Sequence, residues 1–149
     1  PIIADDIDGY ADLRASCRTP ISGGEHEYTL YGFRQLLEKK SVDVIQFDTN
    51  RVGGITQAHK ICALAEAFQI PVIPHAGQVH NFHISMSSIN APIVEYFPFW
   101  PVEIGNELFW YIFDGEPQAK EGFIELDSSK PGLGIELSKN YIKDFDIEE

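Results

Sequence analysis

Four ionisable side chains recur at regular intervals between residues 25 and 95. They are Glu25, Asp48, His75 and Glu95, and the intervals between them are 23, 27 and 20 residues. Carboxylates and an imidazole are the groups that proteins use for general acid–base catalysis, and carboxylate oxygens also bind hard divalent cations. If the fold brings these four residues together, the set predicts acid–base or metal chemistry at one site.

Each of these residues lies at or just beyond the end of a predicted β-strand. Helical hydrophobic spacing alternates with short apolar runs through residue 97, which is typical of a parallel α/β sheet. In such a fold the carboxyl ends of the strands point to one face, where active sites are built. We predict helices over residues 5–17, 29–40, 55–68 and, more weakly, 82–88, and strands over residues 20–22, 42–48, 70–75 and 91–97.

Two of the predicted helices have a clear apolar stripe that should face the core. The second helix is predicted to begin after a Thr29 cap. Cys17 and Cys62 both fall inside helical patterns and are interpreted as core residues rather than a disulfide. The predicted buried stripes are Leu30, Phe33, Leu36 and Leu37 in the second helix and Ala58, Ile61, Cys62 and Ala65 in the third.

Taken singly, three of the four spaced residues have a simple structural interpretation. Glu25 fits a carboxylate at the start of a helix, Asp48 fits a turn residue, and His75 after Pro74 fits a structural histidine. Glu95 differs because it lies on an otherwise apolar predicted strand, where burying a carboxylate is costly. The functional interpretation therefore depends on the four residues meeting at matching strand ends.

Two other motifs are weaker candidates. His75, His80 and His83 suggest a zinc site, but no cysteine or fourth ligand accompanies them and their spacing crosses a predicted loop. The pairs Gly23-Gly24 and Gly53-Gly54 do not complete a phosphate-binding pattern, so they are interpreted as turn glycines. Neither motif predicts a function by itself.

Short motifs around the four residues resemble the enolase superfamily. The mandelate racemase branch fits best, and within it the acid-sugar dehydratases of the L-rhamnonate dehydratase type. The residues that carry the resemblance are Gly23-Gly24-Glu25-His26-Glu27, Gln46-Phe47-Asp48, Arg51-Val52-Gly53-Gly54-Ile55-Thr56, Ile73-Pro74-His75-Ala76-Gly77 and Ile93-Val94-Glu95-Tyr96, with a later segment Lys130-Pro131-Gly132-Leu133-Gly134-Ile135.

The resemblance implies a role for each matching residue. Glu25 matches the last of three carboxylates that hold Mg²⁺. Asp48 and His75 match a dyad in which the aspartate hydrogen-bonds and orients the imidazole, with His75 as general base and acid. Glu95 matches the residue on the final strand that faces the bound substrate, and His26 is expected to line the substrate pocket.

The resemblance also implies a fold in which this chain is only one part. The expected fold class is α/β, with residues 1–97 as the C-terminal half of a (β/α)7β TIM-like barrel. Residues 98–149, read as loops and turns, are expected to extend toward a capping domain that is missing here. The chain begins at Pro1 without an initiator methionine, and the first two metal carboxylates of the family have no counterpart in it. We therefore expect a piece of a longer enzyme that is inactive alone.

The function implied is Mg²⁺-dependent dehydration of an L-rhamnonate-like sugar acid. Proton removal would give an enediolate, and loss of a hydroxyl would give a 2-keto-3-deoxy sugar acid. One alternative is an epimerase or cycloisomerase of the same superfamily. The other is a non-catalytic half-barrel that acts only as an assembly module, which would lack the upstream metal carboxylates.

Composition limits the partners and the location. The 149 residues are 44% hydrophobic and carry 11 basic and 23 acidic side chains, for a formal net charge of −12. That length and apolar content predict a globular domain with a core, and the negative charge disfavours nucleic acid. Apolar runs are too short to cross a membrane and no signal peptide is recognisable, so a cytoplasmic location is expected. The expected partners are a small sugar acid and a second copy or the missing N-terminal half.

Overall fold

Helices alternate with short strands along the chain, of which the computed structural model describes residues 2–98 and 107–144. In chain order the elements are α1 (Ile7–Ser16), β1 (Ser22–Gly23), α2 (Leu30–Glu38), β2 (Val44–Ile45), α3 (Ile55–Ala67), α4 (Val79–Met86), α5 (Glu107–Ile112), β3 (Phe113–Asp114), β4 (Glu136–Leu137) and α6 (Lys139–Asp144).

Side-chain caps fix where the first two helices begin. Asp6 accepts a hydrogen bond from the Gly9 backbone at 2.8 Å, which caps α1. Thr29 Oγ1 accepts from the Gly32 backbone at 3.0 Å, which confirms the predicted cap of α2. These bonds satisfy backbone N–H groups that have no partner within the helix.

Three chain segments run parallel and form the centre of the fold. Ser22 pairs with Val44 and Gly23 with Ile45, and Ile45 in turn bridges Val72 on the segment that follows α3. Further backbone bonds continue past the ladder, because the amide of residue 46 reaches the carbonyl of residue 23 and the amide of residue 75 reaches that of residue 47. The predicted strands over 42–48 and 70–75 are therefore present, with shorter regular pairing than expected.

The core lies between these segments and helices α2 and α3. The predicted stripe of α3 is confirmed in full, and that of α2 is confirmed for its last three members. Phe33 of α2 meets Phe47 edge to face, with ring centroids 6.4 Å apart. The buried hydrophobic cluster is Phe33, Leu36, Leu37, Val42, Ile45, Phe47, Val52, Ala58, Ile61, Cys62, Ala65, Val72 and Ile84.

An electrostatic contact joins α1 to the start of β2. Arg14 Nε lies 2.6 Å from Asp43 Oδ1, and the Ile21 backbone donates to Asp43 Oδ2 at 2.9 Å. The Ile21 N–H and then the Arg14 guanidinium hold the pKa of the Asp43 carboxyl below its ordinary value, although partial burial opposes the shift. No side chain of α1 is fully buried, so this contact helps to hold the helix beside the sheet.

The expected strand over residues 91–97 is not formed. No residue of 91–98 pairs in a strand with another described residue. The Val72 amide bonds instead to the Asn90 carbonyl, just before this segment, and Pro92 has no N–H to give to a ladder. The segment is held by a side chain, as described below.

Three other predictions need correction. The fourth helix begins at Val79, three residues before the predicted start, and Cys17 is exposed rather than part of the core. The described part of the region after residue 98 is not only loops. It contains α5 and α6, and β3 pairs antiparallel with β4. Residues 99–106 and 145–149 of that region lie outside the described residues.

Candidate active site

The carboxyl ends of the parallel segments bring three of the predicted residues to one face. Glu25 lies two residues beyond β1, Asp48 lies three residues beyond β2, and His75 ends the segment that contains Val72. The His75 amide donates to the Phe47 carbonyl at 2.8 Å, which sets the register between the second and third segments. The predicted juxtaposition therefore follows from parallel pairing.

The imidazole of His75 lies between two carboxylates. His75 Nδ1 is 3.3 Å from Glu95 Oε2 and 3.5 Å from Glu25 Oε2. Neither contact has hydrogen-bond geometry, so this buried nitrogen has no hydrogen-bond partner among the described residues. The three side chains are 32–41% exposed, which leaves the cluster open to a small molecule. An imidazole held against two carboxylates is suited to accept and return a proton.

Glu95 reaches this cluster without belonging to a strand. Its Oε2 atom accepts a hydrogen bond from the Ala76 backbone at 2.5 Å. Gly77 makes the approach possible, because a Cβ there would lie 2.6 Å from the Tyr96 Cα and 2.7 Å from the Phe97 nitrogen. The position of the carboxylate is therefore set by close backbone packing against the loop that follows His75.

Asp48 is on the same face but has local partners. Its Oδ1 accepts from the backbones of Asn50 at 2.8 Å and Arg51 at 3.2 Å, and Arg51 Nε lies 3.8 Å from Oδ2. Within residues 2–98 and 107–144, Asp48 makes no hydrogen bond to His75. The dyad contact implied by the resemblance is thus absent from this arrangement, because the backbone turn after β2 satisfies the carboxylate first.

His26 lies beside Glu25 at the edge of the cluster. His26 Nε2 is 3.2 Å from Glu25 Oε1, and the His26 side chain is 55% exposed. Both residues line a cavity of about 730 Å³ that extends along β1 toward α1 and also contacts Gln46. His75 and Glu95 do not line that cavity, so its position supports His26 as a pocket residue only on the Glu25 side.

Two buried polar residues near the site were not predicted from the sequence. Asn81 on the first turn of α4 bonds to the carbonyls of His75 and Ala76 and to the Thr49 hydroxyl. Thr49 and Asn81 are almost completely buried. An asparagine next to Phe82 in an apolar helical pattern was the available signal, since such a residue is buried only with partners.

His80 is a further histidine near Asp48. Burial lowers the pKa of the His80 imidazole, and the negative charge of Asp48 opposes that shift. Its Nε2 atom is buried and has no hydrogen-bond partner in the described part of the chain. The neutral ring is therefore favoured at this position.

The described residues do not form a complete metal site. No group of three or more histidine, cysteine, aspartate or glutamate side chains within 2–98 and 107–144 is arranged to hold an ion. Glu25 offers a partly exposed carboxylate, which suits one ligand of Mg²⁺ but not a whole coordination shell.

Parallel segments that deliver an imidazole and carboxylates to one face define an α/β domain with a site at the strand ends. Residues 1–141 match the family model for the enolase C-terminal domain-like family, and the chain belongs to that family. Its relatives place it in the mandelate racemase branch of the enolase superfamily, which confirms the resemblance seen in the sequence.

Two of the relatives are sugar-acid dehydratases. L-rhamnonate dehydratase of Saccharopolyspora erythraea is 38% identical over 141 residues, which is 92% of this chain and 36% of that protein. L-talarate dehydratase of Polaromonas sp. JS666, solved with Mg and L-glucarate, is 29% identical with a TM-score of 0.82. That match covers 96% of this chain and 37% of the structure.

A third relative is a racemase rather than a dehydratase. A racemase of Streptomyces coelicolor A3(2), solved with bound magnesium, is 25% identical with a TM-score of 0.82 over 98% of this chain and 37% of that chain. The chain spans a little over a third of the length of each of these relatives. In the described residues, no helix has the length and apolar content needed to cross a membrane.

Proposed function

We propose that this chain contributes the acid–base residues of a sugar-acid dehydratase. Residues 1–97 would form the second half of an enolase-type barrel, and residues 98–149 would extend toward a capping domain. The observation that carries the proposal is the position of His75 Nδ1 between the carboxylates of Glu25 and Glu95. The dehydratase relatives support the reaction class.

In this proposal His75 moves the proton. The imidazole removes the hydrogen from the carbon next to the substrate carboxylate, and the electron pair of that C–H bond remains on the substrate. The imidazolium then returns the proton to the hydroxyl on the adjacent carbon as its C–O bond breaks, which releases water. The resulting enol converts to a 2-keto-3-deoxy acid. Glu95 stabilises the imidazolium, because its carboxylate already lies 3.3 Å from Nδ1. The same carboxylate would face the substrate.

In this proposal the Asp48 side chain adopts a second conformation, in which it contacts His75. It lies at the neighbouring strand end and would orient His75 once the side chain leaves the turn that now holds it. Its bonds to the Asn50 and Arg51 backbones are local and exposed, so exchanging them for a bond to the imidazole has a small energetic cost. His26 would line the substrate pocket beside Glu25.

Glu25 is proposed as one ligand of Mg²⁺. A bound magnesium ion stabilises negative charge that develops on a substrate carboxylate. The relatives solved with Mg support this cofactor, but the described residues supply only part of its ligand set. We therefore propose that the remaining carboxylates come from elsewhere in the complete protein, and that residues 1–149 alone are inactive.

The test is a product assay on the complete protein with MgCl₂. L-rhamnonate, L-talarate and galactarate are each incubated with enzyme, and 2-keto acid is followed as its semicarbazone. We expect product with at least one acid, and a fall of about 10³-fold or more for His75→Asn. His59→Asn, an exposed change on α3, is the matched control and should keep full activity. A His75→Asn variant as active as the control would contradict the proposal.

The racemase relative supports a second candidate, an epimerase acting on a similar acid. The same assay in D₂O separates the two reactions by NMR. Dehydration gives a deuterated 2-keto-3-deoxy acid, whereas epimerisation exchanges the hydrogen next to the carboxylate and leaves every hydroxyl in place. Neither exchange nor product with any of the acids would favour the non-catalytic assembly module.

A further inference from the structure

Both the oxygen and the nitrogen of the Asn81 side-chain amide are hydrogen-bonded to other residues of the chain. Its Nδ2 atom donates to the His75 carbonyl at 2.8 Å and to the Ala76 carbonyl at 2.6 Å. Its Oδ1 atom accepts from Thr49 Oγ1 at 2.6 Å. Asn81 is 1% exposed and Thr49 is 2% exposed. The Asn81 amide and the Thr49 hydroxyl therefore depend on these protein partners rather than on bulk water.

These three bonds connect the two strand ends that carry the proposed acid–base residues. Thr49 directly follows Asp48, and the two carbonyls belong to His75 and the residue after it. Asn81 lies on α4, so one residue of this helix fixes the distance between the loop after β2, which contains Thr49, and the loop that begins at His75. Losing one of these hydrogen bonds is costly, because a buried donor or acceptor without a partner carries its full desolvation cost.

The Ala76 backbone, whose carbonyl accepts a hydrogen bond from Asn81, has an unusual conformation. Ala76 has a φ angle of +69°, in the left-handed region that side chains other than glycine rarely adopt. Such a conformation persists only where surrounding contacts hold it. Asn81 binds the Ala76 carbonyl and Glu95 accepts from the Ala76 amide, so the residue after His75 is held at both ends.

We propose that Asn81 and Thr49 are positioning residues that fix His75 relative to Asp48. This inference rests on the proposed function and adds two residues that touch no substrate in it. Their loss would leave binding largely intact and lower turnover, since the geometry of proton transfer is more sensitive to displacement than binding is. Outer-sphere residues of comparable role change activity by roughly 10–100-fold.

The test compares two substitutions of one hydroxyl in the complete protein. Thr49→Val removes the bond to Asn81 with little change in volume, and Thr49→Ser retains it. We expect Thr49→Val to lower kcat by about 10-fold or more with KM within about 2-fold, and Thr49→Ser to restore kcat. Asn81→Leu, which leaves both carbonyls without their donor, should lower kcat further if it folds.

A third variant separates positioning from lost stability. Ile84→Val removes one methylene from the buried face of the same helix and alters none of the three hydrogen bonds. It should lower the melting temperature and leave kcat unchanged. The inference is overturned if Thr49→Val keeps the wild-type kcat, if Thr49→Ser fails to rescue it, or if Ile84→Val loses kcat equally.

Hydrogen–deuterium exchange gives a readout that does not depend on activity. Peptides that cover residues 48–50 and 75–77 should exchange faster in Thr49→Val than in Ile84→Val or Thr49→Ser. If the wild-type protein turns over no sugar acid, the proposed function fails and this exchange decides the inference alone. Faster exchange in both peptides supports the tie between the loops, and unchanged exchange refutes it.

Discussion

The Ala76 backbone donates a hydrogen bond to Glu95 Oε2 at 2.5 Å, and the same oxygen lies 3.3 Å from His75 Nδ1. One carboxylate oxygen is therefore shared by the imidazole and by the backbone that follows it. This relationship links the conformation of the loop over residues 75–77 to the electrostatic environment of the candidate base. It also explains how Glu95 reaches the site from a segment that forms no strand.

Gly77 is predicted to be intolerant of a side chain. A Cβ at this position would lie within 2.7 Å of backbone atoms of Tyr96 and Phe97, which cannot rotate away. We expect Gly77→Ala to lower the free energy of unfolding by about 2 kcal/mol or more, measured by urea denaturation. We also expect reduced turnover, because the segment that carries Glu95 must shift.

The control for that prediction is Gly122→Ala. A Cβ at Gly122 meets no atom within 4 Å, and its φ angle is +84°, so only backbone strain opposes the change. The expected cost is about 1 kcal/mol with no effect on turnover. If the two variants lose the same free energy of unfolding, close packing against Tyr96 and Phe97 is not the reason that residue 77 must be glycine.

Asp43 is predicted to stabilise the fold through its ionised carboxylate. Asp43→Asn weakens the bonds from the Ile21 backbone and the Arg14 guanidinium, and we expect a loss of about 1–2 kcal/mol at neutral pH. Asp12→Asn, an exposed change on α1, should cost almost nothing. Chemical denaturation of the three proteins in parallel provides the comparison.

The pH dependence of this effect has a definite sign. The pKa of Asp43 is lower in the folded state than the ordinary value of 3.8, so folding favours the ionised form. Its contribution is present above that ordinary value and is lost as the pH falls through the folded-state pKa. The difference between wild type and Asp43→Asn should therefore shrink in acid. A difference that persisted unchanged at low pH would assign the effect to packing instead.

His80 is predicted to make the fold less stable in mild acid. Burial lowers its pKa below the ordinary value of 6.5, so the unfolded chain binds a proton more readily than the folded one. The contribution of the neutral ring is present above about pH 6.5 and is lost as the pH falls. Replacing His80 with glutamine should flatten the pH profile of unfolding free energy below pH 6.5, by at most about 1.4 kcal/mol per pH unit.

A histidine outside this environment provides the comparison for His80. His59 is exposed on α3, and His59→Gln should leave the pH profile of stability close to that of wild type. Thermal melts at several pH values measure both variants. If the two substitutions flatten the profile equally, burial of His80 is not the cause.

Magnesium affinity is predicted to depend on Glu25. Removing the charge in Glu25→Gln takes away one hard oxygen ligand, and we expect the affinity of the complete protein for Mg²⁺ to fall by about 10-fold or more. Titration calorimetry with MgCl₂ and no substrate measures this directly. Glu66→Gln, an exposed change on α3, is the control and should bind as wild type does. Unchanged affinity in Glu25→Gln would remove Glu25 from the proposed ligand set.

Local features of the fold were readable from the sequence alone. The Thr29 cap and the buried stripe of α3 follow from side-chain chemistry and a 3.6-residue period, which act within a few residues of one another. The spacing of Glu25, Asp48 and His75 placed them at one face, because parallel strands bring their carboxyl ends together. The family, too, was recognisable from short motifs around these residues.

Contacts between distant segments were decided only by the tertiary structure. The sequence predicted a strand to deliver Glu95, whereas backbone packing at Gly77 and a bond from Ala76 deliver it. The family resemblance implied a hydrogen bond between Asp48 and His75, whereas the Asp48 carboxylate accepts its hydrogen bonds from the backbone of the turn after β2. The bridge through Asn81 was not foreseen, since no local pattern reveals which carbonyl a buried amide will meet. Residue type and period determine elements, while the meeting of donors and acceptors depends on how the elements pack.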